Sequence, residues 1–138
     1  MTEKQLHDYY KTGLETELNS IYGVTVQKEL TRQFKLPIIE LKASSFSLES
    51  ETLSKKDKLY RFSYDVSIYA ENIPTETGML IAGDIADELR GIVYNYFEDE
   101  GFTCTSSIRI NNLDADVARR FVRVEGLYRI DTDILYRG

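Results

Sequence analysis

Glu40-Leu41-Lys42 follows the apolar run Leu36-Pro37-Ile38-Ile39, and its residue types come nearest to catalysis in this chain. Residues two apart on a strand share a face. Glu40 and Lys42 would then stand together, as in metal-dependent nucleases that use a Glu-x-Lys pair and a further carboxylate to hold magnesium and orient a water. The nearest upstream acids are Glu29 and Asp8, and neither sits at the end of a readable strand. A formal net charge of −6 also opposes DNA binding, which needs a clustered positive excess. The nuclease reading is therefore carried as the alternative. Asp114-Ala115-Asp116 and Asp131-Thr132-Asp133 each bring two carboxylates together, but neither forms the ordered ligand array of a calcium loop, so both read as solvated acids.

Other chemistries fall on residue counts. His7 is the single histidine and Cys104 the single cysteine, so a His cluster for metal and an internal disulfide framework are excluded, and a Ser–His–Asp triad would have to rest on His7 and is not expected. Cys104 reads as a buried, inert thiol and His7 as a surface residue. The eight glycines form neither G-x-x-x-x-G-K nor G-x-G-x-x-G. No catalytic residue, cofactor site or metal site is expected.

Charge is the more informative property. Residues 1–35, 36–75 and 101–138 are each within one unit of neutrality, whereas residues 76–100 hold seven acids against one base. That segment alone accounts for the net charge. Within it, Asp84, Asp87, Glu88 and Asp99 fall within an arc of about 120° on a helical wheel. The opposite charge is concentrated in Arg119, Arg120 and Arg123, with Arg109 and Arg129 on neighbouring segments. Arginine suits interface ion pairs because its planar fork donates bidentately. The two groups are expected to pair, within the chain or between copies.

Periodicity supplies the elements that must position these groups. Leu6, Tyr9, Tyr10, Leu14, Leu18 and Ile21 predict an amphipathic helix over residues 3–22. A short segment at Val24–Val26 follows, then a strand over 36–41 with Pro37 near its start and a solvated hairpin or loop over 44–58. Tyr60, Phe62, Tyr64, Val66 and Ile68 alternate with polar residues in the clearest strand, 59–70. Thr75 is the expected N-cap of a second helix over 76–99, with Ile81, Ala82, Ile85, Leu89, Ile92, Val93, Tyr96 and Phe97 inward, Leu80 and Tyr94 off that face, and Gly101 as the stop. Phe102, Cys104, Ile108 and Ile110 then alternate. A turn at 111–114 leads to a long strand through Val122, Val124, Tyr128, Ile130, Ile134 and Tyr136, with Gly126 marking a bulge, bend or tight connection. The expected fold class is α+β: a single domain over 1–138, with one mostly antiparallel or mixed sheet packed against two helices in the order α-β-β-α-β-β. No stretch is long and apolar enough to span a membrane, and the first residues lack a signal-peptide pattern.

This order of segments, with Phe34-Lys35-Leu36-Pro37-Ile38-Ile39, Tyr64-Asp65-Val66-Ser67-Ile68-Tyr69-Ala70, Gly101-Phe102 and Arg120-Phe121-Val122-Arg123-Val124-Glu125-Gly126, resembles the tail terminator (tail completion, head-tail joining) proteins of bacteriophages and phage-derived tail-like particles. The similarity runs over roughly residues 1–130 and lies in layout and short phrases. It implies a non-enzymatic virion structural protein, assembled in the bacterial cytoplasm and located at the tail and neck. Such proteins form a homo-oligomeric ring, implied to be a hexamer, that caps the head-proximal end of the tail tube. The implied partners are the tube protein, a neck or head-completion protein and, in a contractile particle, the sheath, with DNA only passing through the lumen. A head-closure or minor capsid neck protein is the nearest alternative. The family supplies no catalytic residues. The candidate subunit or lumen contacts are Asp84, Asp87, Glu88, Asp99, Arg119, Arg120 and Arg123, on the charge argument alone.

Overall fold

The structure, a computed structural model, describes residues 2–31, 34–51, 58–108, 117–129 and 134–136. Helix α1, Glu3–Leu18, opens with a reciprocal cap in which the Thr2 side chain accepts from the Gln5 N–H and the Gln5 side chain accepts from the Thr2 N–H. Leu6, His7, Tyr10, Leu14 and Leu18 are buried along one stripe. The helix stops four residues before the sequence predicts. Asn19 and Ser20 turn left-handed at φ 49° and 54°, and the Asn19 N–H closes on the Glu15 carbonyl. Asn is one of the few side chains that tolerates this conformation. Ile21 belongs instead to a 3-10 turn, Ile21–Gly23.

The strands are β1 Thr25–Gln27, β2 Ile38–Glu51, β3 Lys58–Glu71, β4 Ile73–Thr75, β5 Gly78–Leu80, β6 Thr103–Ile108, β7 Val117–Arg129 and β8 Ile134–Tyr136. The main sheet has the order β1-β2-β3-β7-β6, with β8 also on β7, and every pairing is antiparallel except that of β1 with β2. The α+β class and the mixed sheet agree with the sequence reading; the element order does not. The segment at 24–26 contributes a strand of its own. Pro37 lies immediately before β2, and β2 is interior, paired on both edges. Of the polar 44–58 region, residues 44–51 belong to β2 and Lys58 to β3, paired antiparallel, and residues 52–57 lie outside the described residues.

The largest departure precedes the second helix. Helix α2 spans Ala82–Asp99, and residues 73–80 form a separate two-stranded hairpin with Ile73 opposite Leu80 and Thr75 opposite Gly78. Thr75 therefore caps nothing. The N-cap is Ile81, which has no accepting side chain, and the Asn72 Oδ1 accepts from the Ala82 N–H at 2.8 Å instead. Ala82, Ile85, Leu89, Val93, Tyr96 and Phe97 are buried as the wheel predicts and Ala86 joins them, whereas Ile92 is partly buried and Ile81 is 52% exposed. Tyr94, placed off that face by the wheel, packs partly buried against the core.

Both helices contribute to one core with a single face of the sheet. Ile39, Leu41, Phe62, Tyr64, Val66, Ile68, Val122 and Val124 meet Leu6, Tyr10, Leu14, Ile85, Leu89 and Phe97. Phe102 is the hub of an aromatic cluster, edge-on to Tyr10, Phe62 and Phe97 at 4.9, 5.3 and 5.1 Å between ring centres. Gly126 marks no bulge, since the β3–β7 register runs unbroken from Leu59–Arg129 to Glu71–Val117. The shifts lie in β2, between Ala43 and Ser45 and between Leu48 and Ser50. Gly126 is there because the Phe102 and Phe62 rings lie over it: a Cβ would sit 2.9 Å from one and 3.0 Å from the other.

Candidate functional site

Asp84, Asp87, Glu88 and Asp99 are all exposed on α2. Asp84 lies in the first turn, where the helix dipole favours it. The other end carries Glu98, Asp99 and Glu100 with no base in the last turn, an arrangement the dipole disfavours. Asp87 and Glu88 have side-chain partners on other elements. Asp87 Oδ1 accepts from Arg120 Nε at 2.7 Å and lies 3.5 Å from Arg90, and the Tyr22 hydroxyl donates to Glu88.

The three arginines do not form one patch, because strand alternation divides them. Arg120 shares the helix-facing side of β7 with buried Val122 and Val124, and it bridges to α2. Arg119 and Arg123 take the opposite face. The Arg119 guanidinium lies 5.1 Å from the centre of the Tyr69 ring, with its Nε buried and without a hydrogen-bond partner. Arg123 lies 3.4 Å from Glu125, which Arg61 approaches to 3.7 Å. The Arg120 to Asp87 pairing thus forms part of the expected acid–base match within the chain. Arg129 ends β7; Arg109, Asp114, Asp116, Asp131 and Asp133 lie outside the described residues.

The same outer face carries the Glu-x-Lys pair. Glu40 Oε2 accepts from the Leu30 N–H at 3.2 Å, Lys42 is exposed, and Asp65 on β3 stands directly opposite Lys42. The second acid expected upstream has its counterpart downstream, in Asp65, which alternation on 59–70 together with the β2–β3 register places on this face. Asp65 Oδ1 is buried without a partner. Among the described residues no group of three or more His, Cys, Asp or Glu is placed to hold a metal ion.

Two features escaped the sequence reading. The first is the β4–β5 hairpin, on which Met79 is 55% and Leu80 37% exposed, continuous with exposed Ile81. The second is a groove of about 490 Å³, mostly apolar, between Tyr9, Thr12, Gly13 and Thr16 of α1 and Tyr96 near the end of α2, with Asp8 and Glu100 on its rim. A Cβ at position 13 would collide with the Tyr96 hydroxyl, so that glycine lets the two helices approach.

No family model matches the chain, and no curated protein matches it.

His7 is placed differently than the sequence predicts, and Cys104 is partly buried against the core. His7 is buried rather than at the surface: its ring stacks on Tyr64 with centres 5.0 Å apart, and Nε2 donates to the Leu41 carbonyl at 2.6 Å. Burial, helped by Lys28, holds its proton affinity below the ordinary value of 6.5, against the opposing effects of the Leu41 hydrogen bond, Asp8 and Glu3. The unfolded chain takes up this proton at higher pH than the folded one. The stability His7 contributes is therefore complete above pH 6.5 and is lost as the pH falls towards the depressed folded value. Urea unfolding above and below pH 6.5 is expected to show a steeper loss on acidification in the wild type than in His7→Leu; equal slopes would refute it. Cys104 is partly buried, and desolvation, with Glu98, pushes its thiol up to about 11, consistent with an inert side chain.

The Arg120 to Asp87 pair has a practical consequence for charge-reversal tests. Arg120→Glu is expected to lower the stability of the subunit itself by about 1 kcal/mol, since it sets a carboxylate against Asp87 on a half-exposed surface. Arg123→Glu is expected to cost less than Arg120→Glu, because Arg123 bridges only to Glu125 on its own strand. Chemical unfolding of the two variants compares them directly, and equal midpoints would refute the assignment.

Proposed function

We propose that the chain is a non-enzymatic subunit of the tail-terminator kind, which assembles as a ring at the head-proximal end of a phage or phage-like tail tube, stops tube growth and joins the tube to the neck. Six copies is the number implied by the resemblance. The observation that carries this reading is the localised negative surface of α2, with Asp84, Asp87, Glu88 and Asp99 exposed in a chain otherwise close to neutral. A ring through which DNA passes without sticking needs repulsion at its lumen rather than global acidity, and field from one acidic wall supplies it. Arg119 and Arg123, on the opposite face of the sheet, suit a different contact from the one α2 makes. A closed ring requires that, because each subunit must offer two unlike surfaces. The proposed partners are the chain itself, the tube protein and a neck or sheath component, and the proposed setting is the virion tail and neck.

Adding the purified protein to polymerising tube protein tests this. Negative-stain images are expected to show shorter tubes with a ring at one end. A strict monomer that leaves tube length unchanged would overturn the reading.

One observation favours a second reading. Glu40, Lys42 and Asp65 share one face of β2 and β3, which is the donor set that a magnesium-dependent nuclease would need. The expected result is no cleavage of duplex DNA with magnesium at high protein concentration. Cleavage that Glu40→Gln abolishes would replace the terminator reading with this one.

A further inference from the structure

We draw no further inference here: the strongest candidate, the exposed apolar surface patch of Met79, Leu80 and Ile81 where the β4–β5 hairpin leads into α2, carries none because nothing in the structure shows what covers it.

Discussion

Phe102→Ala is expected to remove about 3–5 kcal/mol of folding stability, the cost typical of deleting a buried aromatic side chain. The magnitude follows from where the ring sits. Phe102 is 5% exposed and meets Tyr10, Phe62 and Phe97 edge to face, with Tyr64 further out at 6.5 Å. These partners come from α1, β3 and α2, so the cavity opens at the point where both helices meet the sheet. Each edge-to-face pair adds about 0.5–1.5 kcal/mol beyond the area it buries, and the substitution loses three at once. Small domains hold about 5–15 kcal/mol in all, so the variant should unfold at a much lower urea concentration. Its m-value should stay unchanged if the rest of the core remains closed. A loss under about 1 kcal/mol would show that the cluster is not where the helices are anchored to the sheet.

The residues that define this core were legible because burial imposes a period. Alternation at 59–70 and the inward stripe of α2 each follow from one face being wet, and both are found where periodicity puts them. What periodicity did not reveal was the partner of each element. Residues 73–81 contain Met79 and Ile81, which extend the α2 stripe backwards on a wheel, yet Pro74 and Gly78 disfavour a helix there and the segment pairs with itself. His7 failed for a different reason. It lies one residue from Leu6 on the α1 stripe, and only the approach of β2, 34 residues later, gives its ring an acceptor and a lid.

The charged candidates were legible as a list and not as an arrangement. Arg119, Arg120 and Arg123 look like one basic strand in sequence, whereas a period of two sends Arg120 to α2 and the others to the far face. That separation changes what a mutation means. A lost ring in Arg120→Glu has an explanation in the packing of α2 on the sheet, whereas Arg123→Glu disturbs a contact with Glu125 on its own strand.

Gly126→Val provides the sharpest test of the packing, because its effect should depend on what residue 102 is. In the wild type a Cβ at 126 would stand 2.9 Å from the Phe102 ring and 3.0 Å from the Phe62 ring, distances that force one of them to move. Both rings are held by other aromatics, so the substitution is expected to cost about 1–3 kcal/mol even though valine suits a strand better than glycine does. In the Phe102→Ala background the closer obstruction is gone, and the space the ring vacated lets the Phe62 ring yield and takes up the valine methyls. There the same substitution should cost little or stabilise. The double variant should then be more stable than the sum of the two single losses by about 0.5–3 kcal/mol, the range seen for residues that share a cavity. Strict additivity in a urea double-mutant cycle would mean that the glycine is not required by the rings, and that the unbroken β3–β7 register has another cause.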